Sequence, residues 1–217
     1  MSRPQQYLDK EAHFYGRSFF VDENVLIPRM DTETLVEFII RRGGNLPPEK
    51  PALRVLDLCT GSGCIGITLK LENPSLSVDL ADVSSGALSV AQKNAKLLGA
   101  DVRVMQSDMF MNITDRYDII VSNPPYIKTH EIGIYDESIL HEPHMALDGG
   151  ADGMKFYHIL AKHAHEHLAK GGTLAIEICN FARDELVQLF TAEGWQDIRI
   201  IKDMSGLERV MVLTWNG

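Results

Sequence analysis

The tetrapeptide Asn123-Pro124-Pro125-Tyr126 ends an apolar stretch, Asp118-Ile-Ile-Val-Ser122, and its residue types suit the capture of a planar amino group. Two successive prolines fix φ and carry no backbone N–H, so the corner is stiff and its carbonyls remain open to donors. The Asn123 side chain adds a further acceptor oxygen, and Tyr126 adds a flat ring. Two oxygens can take the two N–H bonds of an amide or amine while its plane rests on an aromatic face. A nucleophile held in this way calls for an electrophile.

A site for one lies about sixty residues upstream, in the segment from Arg54 to Gly66. Val55, Leu56 and Leu58 read as a short buried strand, Thr60-Gly61-Ser62-Gly63 as a turn, and Ile65 to Leu71 as a helix. Glycines in such a turn let a ligand approach the backbone, and the helix start offers unpaired N–H groups. Gly61, Gly63 and Gly66 fit the dinucleotide-loop spacing, which alone is a weak signal. Asp82 follows the next strand, Ser77 to Ala81, roughly twenty residues on, where a carboxylate accepts ribose hydroxyls. That arrangement suits S-adenosylmethionine or NAD. The Asn-Pro-Pro-Tyr corner favours S-adenosylmethionine, because hydride transfer has no use for an amide clamp.

Alternating signals place these motifs in an α/β fold with a mostly parallel sheet covered on both faces. Phe14-Tyr15, Phe19-Phe20-Val21 and Val25-Leu26-Ile27 read as short β segments, and Thr32 as the N-cap of a helix bearing Leu35, Val36, Ile39 and Ile40 on one face. Gly43-Gly44 ends that helix, with a linker from Asn45 to Pro51. Ser85 to Leu98 is a helix closed by Gly99, and Val102 to Met105 and Tyr117 to Val121 are strands. Residues 127–152 are polar and irregular, a candidate cover for the site. A helix over Gly153 to Ala169, a strand over Leu174 to Ile178 and a helix over Ala182 to Glu193 follow, and Ile198 to Ile201 with Val210 to Trp215 form an edge hairpin.

At 217 residues and 45% apolar content, the chain has material for one full core. A net charge of −9 without a Lys/Arg-rich block counts against a nucleic-acid partner. No apolar run reaches membrane-spanning length, Met1 to Gln6 carries no signal-peptide core, and three cysteines without metal-ligand spacing suit a reducing compartment. A cytoplasmic protein, or one of an organelle matrix, is therefore expected, with no metal. His163, His165 and His167 include an i, i+4 pair but lack a zincin pattern, so a solvated polar face is expected there.

Several segments together resemble the protein-(glutamine-N5) methyltransferases that modify peptide chain release factors, the HemK/PrmC family. The likeness spans nearly the whole chain. It is carried by Phe14-Tyr15-Gly16, by Val25 to Glu33 with Met30 where proline is usual, by Leu56 to Gly63 with Cys59 in place of a common glycine, and by Gln106 to Phe110. Asn123 to Tyr126, Ala146 to Gly150 and Gly206 to Val210 complete it, while Glu177 to Phe181 departs from the usual glycine-containing sequence. Asn-Pro-Pro-Tyr alone is shared with adenine-N6 DNA methyltransferases.

The resemblance implies a Rossmann-like class I S-adenosylmethionine-dependent methyltransferase with a seven-stranded sheet. Residues 1–30 would form a β-hairpin extension and 31–217 the catalytic domain. The family's N-terminal helical domain is expected to be missing, since residues 4–8 resemble the join that follows it. Cys59, Thr60, Gly61, Ser62, Gly63, Asp82, Asp108, Met109 and Asn123 would line the cofactor site, and Asn123, Pro124, Pro125 and Tyr126 would hold the substrate. Asp57 would bind a loop N–H or a water. For Asp108 a surface-turn role stays open, and for Arg29 and Glu33 an ion pair at the helix start does too. The implied substrate is the glutamine of a release factor's Gly-Gly-Gln motif. The rival is an adenine-N6 or guanine-N2 nucleic-acid methyltransferase, and a scaffold that binds cofactor without catalysis is a third reading.

Overall fold

The computed structural model describes residues 3–43, 52–134, 137–179 and 182–217. A short helix α1 (Gln5–Asp9) leads into strands β1 (Ala12–Phe14) and β2 (Arg17–Phe19), an antiparallel hairpin. Its two turn residues, Tyr15 and Gly16, have φ of 49° and 72°, the paired left-handed conformation that matches strand twist in tight hairpins. A 3-10 turn (Met30–Thr32) opens helix α2 (Glu33–Gly43).

Alternation then sets in as the sequence predicts: β3 (Arg54–Leu58), α3 (Cys64–Glu72), β4 (Ser77–Asp82), α4 (Ser85–Leu98), β5 (Arg103–Gln106) and β6 (Tyr117–Ser122). After the long connection come α5 (Lys155–His163), β7 (Leu168–Glu177), α6 (Arg183–Ala192), β8 (Gln196–Lys202) and β9 (Glu208–Thr214). The seven-stranded sheet has the order β5-β4-β3-β6-β7-β9-β8, parallel except for β9, which runs antiparallel to both its neighbours. Chain direction reverses its lateral progress between β3 and β6, and a crevice opens beyond the C-terminal ends of those two strands.

Side-chain alternation along the strands divides the core into two layers. Val55, Ile119 and Val121 face α2, α3 and α4, packing with Leu35, Ile67 and Ala91. Leu56, Leu58 and Ile120 face α5 and α6, packing with Tyr157, Leu160, Leu186 and Phe190. The hairpin's Phe14 and Phe19 are fully buried in the first layer. Burying each such aromatic contributes roughly 1.5–3 kcal/mol, which fixes the N-terminal segment across the crevice.

Four expectations need correction. Val25 to Ile27 is no strand: the Ile27 N–H is taken by the Glu142 carboxylate at 2.9 Å, and Val25 and Ile27 are buried against Tyr7, Ala87 and Val90 instead. Thr32 does not cap α2: it lies inside the 3-10 turn Met30–Thr32, and its hydroxyl donates to Glu177 at 2.5 Å while its oxygen accepts from Asn123 at 3.3 Å. The helix expected over 153–169 ends at His163, tightens into a 3-10 turn (Ala164–His167), and gives way to β7 at Leu168, which pairs with Tyr117. The solvated face holds only for His163, which is half-exposed beside Glu166; His165 packs at a tilt on Trp215 with centroids 4.6 Å apart, and His167 stacks on Phe110 at 4.7 Å. The expected linker, Asn45 to Pro51, lies outside the described residues.

Candidate active site

The loop after β3 is organised by a carboxylate beneath it. Asp57 is fully buried, and its Oδ2 accepts the Thr60 hydroxyl at 2.6 Å and the Gly66 N–H at 2.9 Å. Asp57 therefore shapes the loop from below and does not line the crevice. Burial pushes its carboxyl up to about 7, against the downward pull of those two hydrogen bonds. Gly66 is a packing glycine: a Cβ there would meet Leu80 Cδ2 at 2.3 Å, so α3 can sit on β4 only without a side chain. Cys59 holds φ of 61°, a left-handed conformation that costs a non-glycine residue roughly 1–2 kcal/mol and explains why glycine suits this place.

Above the loop lies a cleft that is partly open to solvent. Cys59, Thr60, Gly61, Ser62, Asp82, Asp108, Met109 and Asn123 all line it. Of the predicted cofactor residues only Gly63 is not on its wall; with φ of 82°, it turns the chain into α3. Asp82 Oδ2 accepts the Gly61 N–H and Oδ1 the Ser84 N–H, both at 2.9 Å, leaving further lone pairs on each oxygen. Burial raises its carboxyl above the ordinary range. Sequence reasoning missed Asn24, Val25, Leu26 and Pro28, which reach the cleft from the N-terminal segment, and Phe156 from α5.

A second cavity is lined by Asn123, Pro124, Pro125, Tyr126, Ile127, Leu147 and Glu177, among others. The two share Leu26, Arg29, Asn123, Pro125 and Ala146. Asn123 thus stands where one space passes into the other. The diproline corner is braced from behind: a Cβ on Gly149 would fall 2.7 Å from Tyr126 Cα, so the Ala146–Gly150 segment lies directly on the corner's backbone. A bridge between Ile127 and Asp148 ties the two together. Of the expected cover, Met145 and Ala146 line the cleft, and Ile127, Ser138, Ile139, Ala146 and Leu147 line the second cavity; the buried Glu142 anchors this side by accepting from Arg29 and Ile27. Of the open readings, Arg29 is an ion-pair partner, though of Glu142, and Glu33 accepts the Tyr15 N–H at 2.7 Å.

Around the corner, Asn123 Nδ2 donates to Thr32 Oγ1 at 3.3 Å, and the Tyr126 hydroxyl donates to Glu177 Oε1 at 3.2 Å. Burial and the neighbouring Glu177 push the Tyr126 phenol well above its ordinary range, so it stays neutral. Among the described residues no group of three His, Cys, Asp or Glu side chains is placed to hold a metal ion.

Residues 44–150 match the family model described as the methyltransferase small domain. The release factor glutamine methyltransferase of Leptospira interrogans is 40% identical over 98% of this chain and 75% of its own length. That of Streptococcus pneumoniae is 39% identical over 97% of this chain and 75% of its own. The chain belongs to the release factor glutamine methyltransferase family. A methyltransferase from Pyrococcus furiosus shares the fold with a TM-score of 0.67 at 18% identity, covering 98% of this chain and 94% of its own. The catalytic domain of hMettl16 does so with a TM-score of 0.69 at 14% identity, over 98% and 89%. At these identities the structures speak for the class I methyltransferase fold alone. Among the described residues no helix is long and apolar enough to cross a membrane.

Proposed function

We propose that this member of the family transfers a methyl group from S-adenosylmethionine to the side-chain nitrogen of a glutamine, in the Gly-Gly-Gln motif of a peptide chain release factor. One observation carries the assignment of roles: Asn123 and Pro125 wall both the cleft above the glycine loop and the second cavity, so one corner addresses both. In this reading residues 31–217 form the catalytic unit, and the preceding segment closes the cofactor side.

Asp82 is the ribose acceptor, Gly61 and Ser62 admit the amino-acid portion, and Asp108 with Met109 borders the adenine. The fit rests on chemistry present in the cleft: a desolvated carboxylate with spare lone pairs stands opposite a backbone loop without bulky side chains. S-adenosylmethionine supplies an electrophilic methyl on a sulfonium. Asn123 Oδ1 and the Pro124 carbonyl accept the two N–H bonds of the substrate amide and aim its nitrogen, whose lone pair is otherwise spread into its own carbonyl. That lone pair forms the new N–C bond, and the electrons of the broken S–C bond return to sulfur. One N–H proton then leaves to water, since the methylated nitrogen is acidic, and no strong base is needed beforehand. Tyr126 shapes the second cavity, and positioning supplies most of the rate.

Incubation with methyl-labelled S-adenosylmethionine and a release factor tests this reading, with a Gln→Ala version of the motif and RNA or DNA as comparison substrates. Label is expected only in the intact motif. Asn123→Ala should lower kcat on the order of a hundredfold or more, with cofactor affinity far less affected. Label in nucleic acid alone would replace the proposal with the rival activity.

A further inference from the structure

Asn123 presents an oxygen to the cleft only if its amide is turned the right way, and an amide's two ends are close to the same size. Something must select the orientation. Thr32 is 2% exposed and Glu177 is 2% exposed, so water does not settle their hydrogen bonds. We infer that Glu177, acting through Thr32, sets the orientation of the Asn123 amide and is a positioning residue for the transfer; the inference rests on the amide clamp proposed above.

The logic is one of donors and acceptors. An ionised carboxylate only accepts, so the Thr32 hydroxyl must spend its single hydrogen on Glu177 Oε2, at 2.5 Å. The Thr32 oxygen is then left with lone pairs alone. Asn123 lies 3.3 Å from it and must answer with its NH2 group. Its Oδ1 is thereby turned away from Thr32, as an acceptor for the substrate. A reversed amide would set oxygen against oxygen. The other carboxylate oxygen accepts from Tyr126, so one side chain fixes two residues of the corner. Glu177 is itself held: its carbonyl accepts the Tyr157 hydroxyl at 3.0 Å, and it pairs with Val210 in the sheet. Burial raises the Glu177 carboxyl above its ordinary range, while the hydrogen bonds from Thr32 and Tyr126 and the charge of Arg209, itself paired with Asp31 and Asp203 at 3.1 Å each, act in the opposite direction, toward the ionised form.

The experiment compares Thr32→Val, which removes the hydroxyl at nearly constant volume, with Thr32→Ser, which keeps it. Each is made in the full chain, alone and in the Asn123→Ala background. Thr32→Val is expected to lower kcat on the order of tenfold to a hundredfold, with S-adenosylmethionine Kd by calorimetry changed less than about threefold. Thr32→Ser should recover most of the loss. In the Asn123→Ala background, Thr32→Val should cost little more, because the amide it orients is gone. Glu177→Gln should fall between, as its amide can still accept on only one side. Thr32→Val with wild-type kcat beside an inactive Asn123→Ala would overturn the relay and leave the clamp standing. An active Asn123→Ala would instead remove the clamp and the relay with it. Equal losses from Thr32→Val in both backgrounds, with weakened cofactor binding, would assign Thr32 a packing role and overturn the inference.

Discussion

The two ends of the sheet treat their carboxylates in opposite ways. Toward the N-terminal ends of the strands, Asp79 and Asp115 sit among guanidinium groups. Arg103 reaches Asp79 at 2.5 Å and Asp115 at 2.8 Å, Arg54 reaches Asp115 at 3.0 Å, and the Tyr117 hydroxyl donates to Asp79 at 2.7 Å. Hydrogen bonds from Arg54 and Arg103 hold the Asp115 carboxyl down to about 2. At the C-terminal ends, Asp57, Asp82 and Glu177 receive hydroxyls and backbone N–H groups, and burial raises all three. A carboxylate saturated by cations has nothing left to offer and serves the fold. One held only by neutral donors keeps lone pairs for a ligand or for a hydrogen-bond chain that orients one. The cations at the cleft end, Arg29 and Arg209, are paired with Glu142, Asp31 and Asp203 instead, and form no ion pair with these three carboxylates.

The largest consequence of this contrast concerns Asp57. Its folded carboxyl titrates near 7, above the unfolded value of about 3.9, so the native state holds a proton that the unfolded chain has released. The stability it contributes is complete below about pH 4 and is lost as pH rises through about 7, by as much as a few kcal/mol at 1.4 kcal/mol per unit. Urea unfolding from pH 4.5 to 8 should show wild type declining relative to Asp57→Asn, whose side chain is neutral throughout. Parallel curves would mean that the buried carboxylate is better satisfied than its two hydrogen bonds imply.

A smaller and sharper test exchanges the two ends. Asp79→Ala leaves Arg103 and Arg54 facing each other beside a buried phenol and should cost about 2–3 kcal/mol, below the full penalty of a broken buried pair because Arg103 is half exposed. S-adenosylmethionine affinity of the folded protein should not change. Asp82→Ala should raise the S-adenosylmethionine Kd roughly tenfold to a hundredfold, the range expected on losing charge-assisted hydrogen bonds, with a smaller loss of stability. Calorimetry and denaturation on the same two samples suffice. If Asp79→Ala weakened cofactor binding as much as Asp82→Ala, the division between a structural end and a functional end would fall.

What the sequence revealed depended on whether the signal was local. Helix α4 was legible to the residue, because Ser84 caps it by accepting the Ala87 N–H and Gly99 closes it at φ of 70°. The central strands were legible because burial on both faces leaves short apolar runs between turns. The start of β7 was not: Leu168 to Lys170 continues a helical periodicity, and only pairing with Tyr117 draws it into the sheet. Val25 to Ile27 has strand composition but meets a carboxylate instead of a strand. Within the site, the loop and the diproline corner stood out by their glycines and prolines. Thr32 read as a helix cap and Glu177 as the start of an atypical segment, and nothing in the sequence joined two residues 145 positions apart. The one clue to Glu177 was its place at the C-terminal end of a parallel strand, where such folds build their sites.

The weakest expected effect lies at the opposite edge of the pH range. Asp115 is depressed to about 2 by its two arginines, so its contribution is present above the unfolded value of about 3.9 and disappears as pH falls toward 2. This slope is opposite in sign to that of Asp57. The ion pairs of Asp115 are exposed to solvent and salt, so only a slight loss is expected for Asp115→Asn at neutral pH. Its acid limb should nonetheless be flatter than that of wild type between pH 4 and 2, and the difference should shrink in high salt. Melting curves along that limb, at low and high salt, would decide it. A salt-insensitive difference would mean that Asp115 acts through packing, and the arginine-rich end would then owe less to charge than its geometry indicates.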